Sequence, residues 1–135
     1  MKPIEAIIGA TFCLGIILMT VSCSIATPQK VVAACLVLEA ASEGETGMKA
    51  VASVILNRSR AQGVSPNGIV TQVGQFVTMD RGAERAVIIA EHDPKFKKAW
   101  PVALVIAEDV LRGTLKDTTD GALYFKSVNG KNIFK

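Results

Sequence analysis

Apolar runs and compact polar clusters alternate along the chain, and the spacing of the apolar positions changes from one run to the next. Residues 6–21, AIIGATFCLGIILMTV, carry no charge. After the polar stretch Thr27-Pro-Gln-Lys30, every residue from Val31 to Leu38 is apolar, without Gly or Pro. That pattern predicts a helix over 31–41 buried on all its faces. Ser42-Glu43-Gly44-Glu45 interrupts it. Met48, Val51, Ala52 and Ile55 then recur at i, i+3, i+4 and i+7, which predicts a second helix, capped by Thr46 and running to about Ala61, with one apolar stripe. Residues 63–68, with Ser65, Pro66 and Asn67, read as a loop. Residues 69–79 are β-prone and predict a short strand or the irregular wall of a cleft. A third helix is expected over 83–91, stopped by Asp93-Pro94. A fourth has Pro101 in its first turn, Gly113 as its C-terminal cap, and Ala103, Ile106, Ala107 and Val110 as its stripe. Residues 117–121 are turn-rich, 122–125 are apolar and aromatic, and Asn129-Gly130 is a hairpin turn signal. The fold expected is α+β, mainly helical, in one small domain over 27–135.

The first uncharged run has a different meaning. Lys2 precedes it and small residues follow it, the layout of an export signal. Thr20-Val21-Ser22-Cys23 resembles a bacterial lipobox, which makes Cys23 a candidate for lipidation. The alternatives are cleavage near Ser24-Ile25-Ala26 and retention as an uncleaved anchor. Residues 1–26 are therefore expected to be a signal peptide or a lipoprotein signal or anchor. Each version exports the domain to a periplasmic or extracellular site. Two of them attach it to a membrane, through Cys23 or through the N-terminal segment itself.

Charge and cysteine content narrow the function classes. The net charge of +3 is a mild basic bias that suits a polyanionic wall or an anionic lipid surface. No basic stripe interleaved with aromatics accompanies it, so nucleic acid is not an expected partner. Cys13, Cys23 and Cys35 form no Cys-x-x-Cys pair, and His92 is the only histidine, so neither a metal site nor a cofactor is expected. Cys35 reads as a small buried hydrophobe.

The unusual chemical feature is Glu39, a carboxylate at the end of an all-apolar helix. Desolvation there favours the proton-carrying form, which a general acid needs at neutral pH. Glycoside cleavage requires such an acid at the leaving oxygen. Glu43, four residues on, would share its face if the helix continued. Asp80, Glu84, Glu91 and Asp93 are further acids with nothing to single them out.

The residues around Glu39 also form an ordered pattern. Leu38-Glu39-Ala-Ala-Ser-Glu43-Gly-Glu-Thr-Gly47, then Ala50-Val-Ala52-Ser-Val-Ile-Leu56-Asn57-Arg58, resembles the SleB-like cell wall hydrolase family of spore-cortex-lytic enzymes. Gln75-Phe76, Asp120-Gly-Ala-Leu-Tyr124-Phe125 and Gly130-Lys-Asn132-Ile-Phe134 are similar to its later elements, in order. The resemblance implies a lysozyme-like domain that cleaves peptidoglycan glycan strands between N-acetylmuramic acid and N-acetylglucosamine. It implies Glu39 as the catalytic acid of a lytic transglycosylase, in which one carboxyl serves as acid and then base. A hydrolytic muramidase and a catalytically weak wall-binding lipoprotein are the alternatives. Glu43 is expected to support the acid or bind sugar, Gln75 to contact sugar amides or hydroxyls, and Tyr124 to line the glycan cleft or donate a bond near Glu39. Trp100 either stacks on sugar or anchors a helix. Asn57 is expected to bond backbone, and Arg58 to pair with Glu43 or Glu45.

Overall fold

The computed structural model describes residues 26–135; the expectations for the export signal, Cys13 and Cys23 lie outside the described residues. Helix α1 (Pro28–Ala40) is capped by Thr27, whose hydroxyl accepts from the Lys30 N–H, and has Pro28 in its first turn. Its residues Val31 to Val37 are all buried, as the unbroken apolar run predicts. Helices α2 (Gly44–Gln62), α3 (Pro66–Thr71), α4 (Ala83–His92) and α5 (Ala99–Arg112) all pack against α1. Two polar links fix its first turn: Lys30 Nζ lies 3.0 Å from Glu91 of α4, and Gln29 donates to the Leu104 carbonyl of α5 at 3.0 Å. Cys35 is fully buried in this helix, and burial, then the charge of Glu39 one turn on, pushes its thiol well above the ordinary range.

The predicted stripes of α2 and α5 are in the core: Met48, Val51, Ala52 and Ile55 on one, Ala103, Ile106, Ala107 and Val110 on the other. Trp100 is buried at the start of α5, a helix anchor, and His92 is exposed at the end of α4. Gly113 ends α5 with φ +71°, as its placement predicts.

Two local expectations are corrected. Helix α2 starts at Gly44, not beyond a Thr46 cap. A 3-10 turn over Ala41–Glu43 leads from α1 straight into α2, and Gly44 makes the corner at φ +69°, so Thr46 already lies inside the first turn. Residues 66–71 form α3 rather than a loop followed by a strand. Ser65 accepts from the Gly68 N–H, Pro66 opens the helix, and Ile69 and Val70 bury into the core, which outweighs their β propensity. A turn and a short 3-10 segment, Val77–Met79, complete the stretch, so its second half is the irregular cleft wall of the two alternatives expected for it, not the strand.

The β structure comes last. Strands β1 (Phe125–Val128) and β2 (Lys131–Phe134) pair antiparallel, with Phe125 opposite Phe134 and Val128 opposite Lys131. Asn129 and Gly130, at φ +52° and +75°, make the turn between them. A two-stranded hairpin is marginal alone. This one is held by Phe125, whose ring lies 5.7 Å from that of Phe134 and 6.1 Å from that of Phe76.

Side chains of α2 hold the segment that leads into the hairpin. Asn57 donates to the Ala122 carbonyl and to Asp117, both at 3.1 Å. Ser53 accepts from the Thr118 N–H at 3.2 Å. Asp117 also accepts from the Thr119 hydroxyl and from the N–H groups of Thr119 and Gly121. The Thr119 hydroxyl bond and these companions hold its carboxyl down at about 2, against an ordinary value of 3.8.

Glycine is also required at position 47. A Cβ there would collide with the Glu43 Cβ and come within 3.2 Å of its Oε2, because Glu43 folds back over the first turn of α2. Glu43 Oε1 in turn accepts from the Asn132 N–H of β2 at 2.8 Å.

Two outcomes are expected. Asp117 binds its proton more weakly folded than unfolded, so its contribution to stability is full above the ordinary carboxylate value of 3.8 and is lost as pH falls towards about 2. Asp117→Asn is therefore expected to flatten that part of a thermal-midpoint-against-pH curve; an unchanged acid limb refutes the role. Gly47→Ala gains up to about 1 kcal/mol of helix propensity. It is nonetheless expected to lower stability by roughly 1–3 kcal/mol in urea melts, because Glu43 must move; a raised midpoint contradicts the packing.

Candidate active site

Helix α1 emerges from the core at Leu38 and Glu39, both half-buried. Glu39 opens onto a cleft of about 420 Å³. One wall is the corner between α1 and α2, with Ser42 and Glu43; the floor carries Arg58 and Phe76; Gln75, Val77 and Thr78 form a second wall; the hairpin, through Phe125, Lys126 and Asn132, forms the third.

Thr78 donates its hydroxyl to Glu39 Oε1 at 2.5 Å. A threonine hydroxyl both donates and accepts, so it can partner the carboxyl with or without a proton. The backbone beside Glu39 is tied as well: Asn132 Nδ2 donates to the Glu39 carbonyl at 3.4 Å. Glu39 and Glu43 are the two carboxylates lining the cleft, and they differ in circumstance. Glu43 has Oε1 on the Asn132 N–H and Oε2 close over Gly47. Glu39 has Oε1 on the Thr78 hydroxyl, and neither carboxylate has a hydrogen bond on Oε2 among the described residues.

Arg58 is 7 % exposed, and its partners correct the expected pairing with Glu43 or Glu45. Its Nε donates to the Leu123 carbonyl at 2.6 Å and its Nη1 to Gln75 Oε1 at 3.1 Å. Its guanidinium sits 5.3 Å from the ring centroids of both Phe76 and Tyr124. Burial lowers its pKa. Two π faces and two oxygens replace the carboxylate, because the turn from α1 to α2 sends Glu43 to the hairpin and Glu45 to Lys49, 2.7 Å away. Asn57 bonds the Ala122 carbonyl, as expected of it.

The cleft thus brings Gln75 together with Glu39 and Glu43. Tyr124 lies outside it, in an adjoining hollow. Sequence reasoning missed Thr78, which sits in a stretch without periodicity; only its spatial meeting with Glu39 marks it. Among the described residues no group of three or more His, Cys, Asp or Glu side chains is placed to hold a metal ion, and no helix is long and apolar enough to cross a membrane.

A family model described as Cell Wall Hydrolase matches residues 42–134. The match takes in Glu43, Gly47, Asn57, Arg58, Gln75, Thr78, Tyr124 and the hairpin, and begins just after Glu39. No curated protein and no solved structure matches the chain, so the lysozyme-like aspect of the fold rests on the sequence motifs. The matched segment covers most of the chain and builds all of the cleft except the end of α1, and the protein is a member of the cell wall hydrolase family.

Proposed function

We propose that this cell wall hydrolase cleaves peptidoglycan glycan strands between N-acetylmuramic acid and N-acetylglucosamine as a lytic transglycosylase, with Glu39 as the acid and then the base. The observation that carries this reading is the place of Glu39, brought to the cleft by the buried helix α1 and met there by the Thr78 hydroxyl. Each cleft carboxylate accepts one hydrogen bond on Oε1 and neither has one on Oε2 among the described residues; Glu43 is tied to the hairpin backbone by the Asn132 N–H, which can only donate, whereas Glu39 is met by a hydroxyl that can donate and accept. Hydrolysis needs a second carboxylate, as nucleophile or as water-activating base. Transglycosylation needs one.

The steps balance on Glu39 alone. Protonated Glu39 gives its proton to the glycosidic oxygen, the bond from the muramyl C1 to that oxygen breaks, and the N-acetylglucosamine leaves with a free 4-hydroxyl. The Glu39 carboxylate then takes the proton of the muramyl 6-hydroxyl while that oxygen bonds C1, closing a 1,6-anhydro ring. Glu39 ends protonated, ready for the next strand, and no water is consumed. The Thr78 hydroxyl, able to donate and to accept, keeps the carboxyl aimed in both halves of the cycle.

Export follows from the substrate, which lies outside the cytoplasmic membrane. It fits the signal-like residues 1–26, with Cys23 as the proposed lipid anchor where that segment is processed as a lipoprotein.

Two outcomes test this. Glu39→Gln is expected to lower the rate at which the purified protein digests sacculi by at least about a hundredfold, the usual worth of a general acid. Full activity in that variant overturns the assignment. Thr78→Val is expected to cost about tenfold to a hundredfold in kcat, the worth of a hydrogen bond to a charged group, with Thr78→Ser restoring most of it. Equal rates for the valine and serine variants contradict the positioning role.

A further inference from the structure

A second, smaller hollow of about 210 Å³ adjoins the Glu39 cleft, lined by Arg58, Ala61, Gln62, Gln75, Leu123 and Tyr124. Arg58 and Gln75 line both spaces, so the bonded pair they form is the partition between them. Gln75 itself is exposed, which makes that partition a low sill rather than a closed wall.

Tyr124 is the unusual member. It is the chain's one tyrosine, and it is 66 % exposed. An aromatic ring left in water is ordinarily mobile, but this one is pinned: the Arg58 guanidinium lies 5.3 Å from its centroid, and Arg58 is itself buried and held by the Leu123 carbonyl and Gln75. With the cation against one face, the exposure belongs to the other face and the phenol edge. Around that open face stand two amides. Gln75 uses its oxygen on Arg58 and has an Nε2 with no hydrogen bond among the described residues. Gln62 is exposed and accepts only a long bond, 3.4 Å, from Gln72.

A fixed aromatic face flanked by uncharged amides suits a neutral ring with an apolar face of C–H bonds and a rim of hydroxyl and acetamido groups. A pyranose of the N-acetylhexosamine type has that shape. The hollow is smaller than the ~300 Å³ at which sites for whole ligands begin, so it fits one ring rather than a complete substrate. We propose that it is a second sugar subsite, which takes one N-acetylated pyranose of the strand beyond the linkage held at Glu39, with the strand crossing the sill at Gln75. This rests on the reading of the main cleft as the glycan-cleaving site.

Binding without turnover tests it. The full chain carrying Glu39→Gln is titrated with N-acetylglucosamine oligomers of increasing length, with the ring signals of Tyr124 followed by NMR; a single tyrosine makes them assignable at once. The Tyr124 signals are expected to move, and affinity to step up once the oligomer is long enough to reach both spaces. Tyr124→Leu is expected to lose about threefold to tenfold of that step, with Tyr124→Phe retaining it. Gln62→Ala, which leaves the Arg58 contacts untouched, guards against a folding artefact and is expected to lose part of the step. Unmoved tyrosine signals, or a length step intact in both the Leu and the Gln62 variants, overturn the subsite. Failure of the catalytic reading registers separately, as digestion of sacculi by Glu39→Gln, and the subsite is then judged by the same shifts.

Discussion

A charge cannot be carried in the middle of α1. From Val31 to Val37 the helix is enclosed by α2, α3, α4 and α5, and an unpaired carboxylate there would cost several kcal/mol. The acid at the C-terminal end of the helix therefore sits where α1 leaves the core, at Glu39, and the cleft lies where the surrounding helices stop covering it. This constraint also makes the site rigid. The backbone that presents Glu39 is continuous with the best-packed helix of the domain, and the polar ties of its first turn, Lys30 to Glu91 and Gln29 to Leu104, hold its other end.

The opposite wall has no such support of its own. A hairpin of two four-residue strands gains its position from what it touches. Its aromatic face rests on Phe76, its β2 backbone hangs on Glu43, and the segment before it is gripped by Ser53, Asn57 and Arg58 of α2. Arg58 is the centre of this arrangement. Its buried guanidinium bonds one carbonyl and one amide oxygen and lies 5.3 Å from each of two ring centroids, so it ties α2, the 75–76 turn and the strand approach together. Residues of α2 thereby shape the cleft through the hairpin, and Glu43, which lines the cleft, ties the same hairpin from the corner before α2.

The helical core was legible because its signals are periodic and redundant. The unbroken apolar run of α1, the stripes of α2 and α5 and the Gly113 cap each point to one answer, and the hairpin turn follows from Asn129-Gly130. Where signals conflict, the reading failed. Ser65-Pro66 is loop punctuation and also the opening of a helix, and burial of Ile69 and Val70 decides for the helix. Thr46 is a plausible cap only if α1 and α2 are separated by extended chain, and Gly44 removes that gap. The site was half legible. Glu39, Glu43 and Gln75 carry local or motif signals and meet in one cleft; Thr78 carries none, and Arg58 could be given a partner only from sequence neighbours, which were the wrong ones.

For the glycan cleavage proposed for this cell wall hydrolase, the chemical choice is whether water or the muramyl 6-hydroxyl attacks C1. The tie of Glu43 Oε1 to the hairpin backbone favours the hydroxyl in the proposed mechanism, in which Glu39 alone serves as acid and then base. The most direct test is the mass of the fragments released from purified sacculi in heavy-oxygen water. Transglycosylation by Glu39 requires 1,6-anhydromuramyl ends that carry no label. Reducing muramyl ends that carry heavy oxygen at C1 would contradict it.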